Sequence, residues 1–195
     1  MSTGWLAQEP DGPDTLEGYR LDRATFPTRY EEFSFVLRTL AHERPGVAVD
    51  AGSGFNPEIH LLPYLLARRG WYTIATDVNP ESLRMPGSDR VNRLLEDMSL
   101  GWSTRGLDAD AWTCVSTLEH LQSAQQFMAI DTAFATLRPG GIAVVTTDFM
   151  APGRLRALLR FGGFEVGPEA PLAGPHLVPR VAWGIGRKPL LGGDL

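Results

Sequence analysis

Residues 46–60 read GVAVDAGSGFNPEIH, a β-rich run followed by a turn with two glycines and then a helical segment. The run ends beside the acid Asp50, and Gly52 and Gly54 follow at alternate positions. Glycine reaches backbone angles that other residues avoid, and it lets a ligand come close to the main chain. The helix predicted at 57–70 has Pro57 in its first turn, and its free N–H groups would point toward the turn. Pro63 lies close enough to this start to kink the helix or to delay its onset.

On either side of this stretch, β-rich runs and helical periodicity alternate along the chain. Besides the strand at 47–51, strands are predicted at 72–77, 91–97, 111–117, 142–148, 164–166 and 180–188. Further helices are predicted at 80–85, 121–141 and 154–163. Such alternation predicts an α/β fold with a doubly wound, mostly parallel sheet of seven strands. Because the last two strands follow each other directly, we expect a terminal hairpin with one antiparallel strand.

The residues before this alternation form a region of their own. An apolar face at helical spacing predicts a helix that Pro45 and Gly46 end. The face consists of Tyr30, Phe33, Leu37 and Leu40. We therefore divide the chain into an N-terminal extension with a lid helix, 1–45, and a single α/β domain, 46–190.

Acidic residues stand at the ends of two further predicted strands. Asp77 ends the strand after the glycine turn, and Glu96 and Asp97 end the next one. In a parallel sheet these ends lie at one edge, where an acid can accept both hydroxyls of a ribose. The glycine turn and these acids together are complementary to an adenosine with a polar tail.

These motifs resemble the class I S-adenosylmethionine-dependent methyltransferases of the small-molecule type. The matching segments are VAVDAGSGFNPE, YTIATDVNP, LLEDMS, WTCVSTLEHL and LRPGGIAVVTTDF, between residue 46 and about residue 188. The family's acid and alternate glycines correspond to Asp50, Gly52 and Gly54, with Asn56 at the third glycine position. Asparagine tolerates left-handed backbone angles better than most residues. The resemblance implies a Rossmann-like methyltransferase fold.

The resemblance also implies a binding site for S-adenosyl-L-methionine. In it, Gly52 and Gly54 would border the methionine part, Asp77 would hold the ribose hydroxyls, and Asp97 with Met98 would hold the adenine. The remaining predicted cofactor-binding residues are Asp50, Asn56, Val78, Ser116 and Tyr30. Alternatives stay open for most of these residues: Gly52 and Gly54 as a plain tight turn, Asp77 as a helix cap, Asp97 as a loop acid, Met98 as core packing, and Tyr30 as a residue that packs its helix on the sheet. A nicotinamide cofactor is disfavoured, because Pro57 stands where the last glycine of G-x-G-x-x-G belongs.

Candidates for catalysis follow the fourth and fifth strands of the 46–190 region. Methyl transfer needs a base only where the acceptor holds a proton that it does not lose unaided. His120 follows the strand at 111–117, and Asp148 ends the strand at 142–148. We predict these two as catalytic candidates. Glu119 and His120 could instead cap and orient the helix that follows.

The composition of the chain limits the binding partners and the cellular location that we expect. The chain has 195 residues, a net charge of −5 and one cysteine. No apolar run approaches the length of about 20 residues that a membrane span needs, so we expect a cytoplasmic protein without a membrane partner. Nucleic acid is an unlikely partner for an acidic chain, and the scattered histidines predict no metal. We expect a small-molecule acceptor and leave the oligomeric state open. A protein or RNA methyltransferase and a non-catalytic cofactor-binding subunit are the alternatives.

Overall fold

The computed structural model describes residues 14–16, 19–21, 26–56, 60–167 and 181–190. The strands are β1 Asp14–Leu16, β2 Tyr19–Leu21, β3 Val47–Ala51, β4 Tyr72–Asp77, β5 Val91–Leu95, β6 Ala109–Val115, β7 Leu137–Asp148, β8 Glu165–Val166 and β9 Val181–Arg187. The α-helices are α1 Pro27–Leu40, α2 Leu62–Arg68, α3 Ser123–Thr136 and α4 Pro152–Phe161. Short 3₁₀ helices cover Pro80–Arg84 and Leu118–His120.

Seven strands form one sheet in the order β5-β4-β3-β6-β7-β9-β8. Every neighbouring pair from β5 to β7 is parallel, whereas β9 runs antiparallel to both β7 and β8. The predicted fold class is therefore confirmed, including the single antiparallel strand near the C-terminus. The strand order reverses between β3 and β6, and open α/β sheets bind their ligands beyond the carboxyl ends of the strands at such a point.

Helices cover both faces of this sheet and bury two apolar clusters. On one face α1 and α2 pack against the sheet, with Val36, Leu65 and Leu66 fully or almost fully buried. On the other face α3 and α4 contribute buried residues such as Ile130 and Leu155. This burial is the main term that stabilises the fold and holds the strand ends in place.

The predicted lid helix, α1, packs into the first of these clusters. Its buried apolar residues are Tyr30, Phe33, Phe35, Val36, Leu37 and Leu40. The four residues of the predicted apolar face are among them, and Phe35 and Val36 extend the buried surface around the helix. Helix α1 is thus part of the core, and a lid function for the 1–45 extension stays a prediction.

Helix α2 begins later than residue 57, the predicted bound, and of the two effects expected of Pro63 the delayed onset is the one observed. Residues 60 and 61 are not helical and α2 starts at Leu62, with Pro63 in its first turn. Proline has no N–H to donate, so a helix accepts it only in this first turn. Pro63 rather than Pro57 therefore sets the start, and Pro57 lies outside the described residues.

Helix α3 ends earlier than predicted, at Thr136, and β7 already begins at Leu137. The residue before a proline avoids the helical region, which excludes Arg138 from a helix that would continue into Pro139. The LRPGG segment is thus the first part of a strand, and Leu137 pairs with Ala109 of β6. The N-terminal region also contains an element that the sequence pattern does not predict, since β1 and β2 pair as an antiparallel hairpin.

Among the described helices, none combines the length and the apolar character that crossing a bilayer requires.

Candidate functional site at the carboxyl edge of the sheet

The turn after β3 has the backbone conformation that its glycines predict. Gly52 and Gly54 have φ of +70° and +73°, in the left-handed region. Their neighbours also leave no room for a side chain. A Cβ on Gly52 would lie 2.3 Å from Thr117 Cγ2, and one on Gly54 would lie 2.3 Å from His60 Cγ. Both positions therefore need glycine, for the backbone angle and for the close approach of another residue.

His60 holds the far end of this turn. Its Nδ1 accepts a hydrogen bond of 2.8 Å from the backbone N–H of Asn56, which requires that nitrogen to be unprotonated. Burial, together with the nearby charge of Arg29, lowers the pKa of His60 to about 4. The imidazole is therefore neutral at physiological pH and serves as a structural acceptor. The sequence shows a histidine after the turn but does not reveal this bond, because it depends on how the turn closes on itself.

Asp77, at the end of β4, joins that strand to the glycine turn. Its Oδ2 accepts a hydrogen bond of 2.8 Å from Gly54 N, and its Oδ1 accepts one of 2.8 Å from Asn79 N. Two backbone donors thus fix the carboxylate, yet each oxygen has a second lone pair available. The next residue, Val78, leaves 66% of its surface exposed beside it. Asp77 is therefore an oriented acceptor at the edge of the sheet.

The two acids after β5 differ in environment. Glu96 is buried, and its Oε1 accepts hydrogen bonds from Ser103 N, Thr104 N and Thr104 Oγ1. It fixes the loop that follows. Asp97 is less buried, and its Oδ1 accepts from both N and Oγ of Ser99. Of this pair, Asp97 is the one that is partly exposed at the edge of the sheet. Met98 packs into the core with its side chain, which leaves its backbone for any ligand contact.

Asp50 lies beneath the turn rather than at its surface. It is 3% exposed, and its Oδ1 accepts a hydrogen bond of 2.7 Å from Thr113 Oγ1 of β6. Burial raises the pKa of Asp50 to about 7, although the Thr113 bond and the charges of Arg93 and Arg29 oppose this rise. The carboxyl group therefore joins β3 to β6 at the point where the strand order reverses.

The end of β6 makes contacts that the sequence does not predict. Ser116 has φ of +44°, unusual for a residue that is not glycine. Its Oγ donates a hydrogen bond of 2.5 Å to Oε1 of Glu32 on α1. The only sequence signal for Glu32 is that Phe35 and Val36 follow three and four residues later, so a helix with a second apolar face would bury it.

The two catalytic candidates lie on either side of Glu119. Glu119 Oε1 accepts a hydrogen bond of 2.7 Å from the backbone N–H of Asp148, which links the segment after β6 to the end of β7. Burial raises the pKa of Glu119, and its Oε2 is buried without a hydrogen-bond partner. Asp148 is half-buried and His120 is exposed. Among the described residues, no group of three or more His, Cys, Asp or Glu side chains is placed to hold a metal ion.

Comparisons with known proteins identify the fold. No protein-family model and no curated protein matches the sequence, but solved structures do. One is the 1,6-didemethyltoxoflavin N1-methyltransferase of Burkholderia thailandensis with S-adenosylhomocysteine bound, at 18% identity and a TM-score of 0.66, with 83% of this chain and 78% of that chain covered. Another is the magnesium protoporphyrin IX methyltransferase of Synechocystis PCC 6803 with bound SAM. It has 14% identity and a TM-score of 0.66, with 96% of this chain and 92% of that chain covered.

A third similar structure widens the range of activities found on this fold. It is the [4+2]-cyclase SpnF, at 18% identity and a TM-score of 0.61, with 81% of this chain and 80% of that chain covered. Likeness at such low identity defines the fold alone. The chain has the Rossmann-like methyltransferase fold, as the sequence motifs imply.

The buried Asp50 carboxyl predicts a pH-dependent effect on stability. Because its pKa rises from 3.8 to about 7 on folding, the folded state holds a proton that the unfolded chain releases, and stability falls as the pH rises through this interval. Asp50→Asn removes the titration and keeps an acceptor for Thr113. The free energy of unfolding of the variant minus that of the wild type should therefore increase by about 2–3 kcal/mol between pH 5 and pH 8.

Denaturant unfolding at several pH values measures this difference, with Asp89→Asn, at an exposed acid, as the matched control. A difference for Asp50→Asn that stays as constant with pH as that of the control would contradict the assignment.

The contact between Gly54 and His60 predicts coupled losses of stability. Gly54→Ala should cost about 1–3 kcal/mol, because the new Cβ is strained at positive φ and collides with the imidazole. His60→Ala removes the obstacle but not the strain. In a double-mutant cycle followed by thermal unfolding, the double variant should lose less stability than the two single variants add up to. Strictly additive losses would show that the ring does not restrict Gly54.

Proposed function

We propose that this protein is an S-adenosylmethionine-dependent methyltransferase that acts on a small-molecule oxygen or nitrogen acceptor. The observation that carries the proposal is the oriented carboxylate of Asp77, held by Gly54 N and Asn79 N with lone pairs left for a ligand. A carboxylate in this place suits the two hydroxyls of a ribose. The similar structures crystallised with S-adenosylhomocysteine or SAM support the same cofactor.

The donors and acceptors along the edge fit the rest of the cofactor. Asp97 offers a carboxylate oxygen to an exocyclic amine, and the backbone of Met98 lies next to it. Val78 provides an exposed apolar surface of the kind on which a base can rest. The glycine turn brings main-chain groups to the methionine end, beside Ser116 and Thr117 of the β6 end. Asn56 closes the turn through His60, and Asp50 supports it from below.

S-adenosylmethionine, when bound, supplies a methyl group on a positively charged sulfur. The chain's own contribution is to align the acceptor, to exclude water and to remove the acceptor's proton where it has one. Asp148 ends β7 and His120 ends the 3₁₀ helix that follows β6, and these two are the candidates for taking that proton. The bond from Asp148 N to Glu119 Oε1 fixes the backbone at the first of these positions. Tyr30 is buried on α1, within the apolar cluster that α1 and α2 form against the sheet.

The acceptor is assigned to the small-molecule class on two grounds. The similar structures include enzymes named for toxoflavin, porphyrin and glycopeptide substrates. The chain also carries a net charge of −5, which does not favour a polyanionic acceptor. One similar structure is a complex that contains the Trm112 methyltransferase activator of Haloferax volcanii. A protein or RNA acceptor is the alternative that acceptor screening must address. A non-catalytic cofactor-binding subunit would bind the cofactor and never consume it.

The ribose assignment predicts a specific loss of affinity in Asp77→Ala. Removing a carboxylate that accepts hydrogen bonds from both ribose hydroxyls should weaken the binding of S-adenosylhomocysteine by about 2–4 kcal/mol, which raises the dissociation constant about 30- to 1,000-fold. Asp77 also accepts a hydrogen bond from Gly54 N. The variant alone therefore does not separate the loss of the ribose contact from a disturbance of the glycine turn. The 2′,3′-dideoxy analogue of S-adenosylhomocysteine does: it should bind the wild type much more weakly, and Asp77→Ala should bind both ligands about equally.

Calorimetry measures these affinities, with Asp89→Asn as the control for the loss of one negative charge. If Asp77→Ala still distinguished the two ligands as strongly as the wild type does, the ribose would lie elsewhere. If the wild type bound neither ligand, the proposed function itself would fail.

The acceptor side predicts an effect on turnover with little effect on cofactor affinity. General base catalysis contributes about 10²–10⁴-fold, so His120→Ala or Asp148→Asn, whichever removes the base, should slow formation of S-adenosylhomocysteine by that factor. Two measurements are made on each variant. Turnover is measured with a pool of candidate small-molecule acceptors, and calorimetry measures the affinity for the cofactor. If neither variant lowered turnover as much as tenfold, these two side chains would not supply the base, and catalysis would rest on positioning.

A further inference from the structure

Glu32 is an acid buried between helix α1 and the carboxyl ends of two strands. It is 0% exposed. Its Oε1 accepts hydrogen bonds from Ser116 Oγ, at 2.5 Å, and from Thr146 Oγ1, at 2.7 Å. Ser116 directly follows β6, and Thr146 belongs to β7. One carboxylate oxygen thus joins α1, β6 and β7 at the edge where the proposed site lies.

Placing a carboxylate in this buried position reduces the stability of the fold. Burial raises the pKa of Glu32, and the charge of Asp148 acts in the same direction, against Arg29 and the two hydroxyl donors. Its Oε2 is buried without a hydrogen bond, with Arg29 Nη1 at 3.3 Å as an ion-pair partner. Buried ion pairs commonly add little stability compared with apolar residues of similar size. Core packing therefore does not explain why α1 places a carboxylate here.

The contacts of Glu32 converge on the end of β6. Arg29 Nη1 donates to the backbone oxygen of Val115, at 3.4 Å, while Glu32 holds the hydroxyl of Ser116. Ser116 also donates its N–H to Thr146 O. These contacts support a residue at φ of +44°, which costs about 1 kcal/mol or more for a residue with a side chain. The left-handed angle redirects the chain immediately before Thr117.

Thr117 connects the end of β6 to the glycine turn. Its Oγ1 lies 3.2 Å from Gly52 O and 3.0 Å from Val115 O, which share its single proton. Its Cγ2 occupies the space that a Cβ on Gly52 would take. A continuous path of contacts therefore leads from Glu32 through Ser116 and Thr117 to Gly52. The turn that the proposed function assigns to the cofactor rests against the segment that Glu32 fixes.

We infer that Glu32 is a positioning residue of the cofactor site: from α1 it fixes the end of β6 against the glycine turn, and cofactor affinity depends on that anchor. The inference rests on the proposed function, because it takes the turn at Gly52 as part of the cofactor site. It adds a residue from outside the family-like motifs, on a helix that precedes the glycine turn. It also gives α1 a function in ligand binding that differs from that of a mobile cover.

Two replacements at position 32 separate anchoring from simple burial. Glu32→Gln keeps the size and an Oε1 acceptor for Ser116, so S-adenosylhomocysteine should bind within about threefold of wild type. Glu32→Ala removes the acceptor, and the dissociation constant should rise about tenfold or more. Thr146→Val is the matched control, since it removes the other hydrogen bond to the same oxygen and leaves Ser116 anchored. It should lower the melting temperature while affinity stays close to wild type.

A double-mutant cycle of Glu32→Ala with Ser116→Ala tests the path directly. Ser116→Ala alone covers the case in which Glu32→Ala folds poorly, because it removes the hydroxyl that Glu32 holds. It should by itself raise the dissociation constant of S-adenosylhomocysteine about tenfold or more. If Glu32→Ala folds, the double variant with Ser116→Ala should bind no worse than the weaker single variant.

Calorimetry at temperatures where each variant is folded gives all of these values. Additive losses, or affinity unchanged in both Glu32→Ala and Ser116→Ala, would overturn the inference while the proposed function stands. Failure of the wild type to bind would instead remove the proposed function on which the inference rests.

Discussion

The hydrogen bond from Gly54 N to Asp77 Oδ2 is the contact on which the proposed site depends. It joins the turn after β3 to the end of β4 and, together with the bond from Asn79 N, fixes the orientation of the carboxylate. The bond requires the left-handed backbone of Gly54, which in turn requires the absence of a Cβ beside the His60 ring. The identity of residue 54, its backbone angle and the orientation of the Asp77 carboxylate therefore depend on one another.

Buried carboxyl groups extend this constraint from the turn to the strands around it. Asp50 bonds to Thr113 across β3 and β6, and Glu32 joins α1 to the ends of β6 and β7. Glu119 connects the segment after β6 to Asp148. Burial raises the pKa of all three groups, so each reduces stability as the pH rises through its titration. Groups that reduce stability and lie together at one edge of a sheet are typical of functional sites.

Much of the fold follows from local pattern. Hydrophobic runs and glycine or proline boundaries predict the seven-stranded sheet, its antiparallel strand and the turn at Gly52 and Gly54. Pro63 delays the start of α2, as its position in the sequence allows, whereas the end of α3 is an error, because Pro139 outweighs the longer helical pattern. The site is only partly predictable, because Asp77 and Asp97 stand at strand ends that the sequence reveals. Glu32 and His60 act through contacts that exist only after α1 and the turn close onto the sheet, and a single sequence does not encode these contacts in any periodic form.

Amide chemical shifts measured while S-adenosylhomocysteine is added to ¹⁵N-labelled protein test the central claim most directly. The account predicts saturable shifts concentrated in residues 52–56, 77–79, 97–99 and 116–117, the four segments at the carboxyl edge, with little change at the opposite edge of the sheet. An absence of shifts at high ligand concentration, or shifts centred away from these segments, would contradict it.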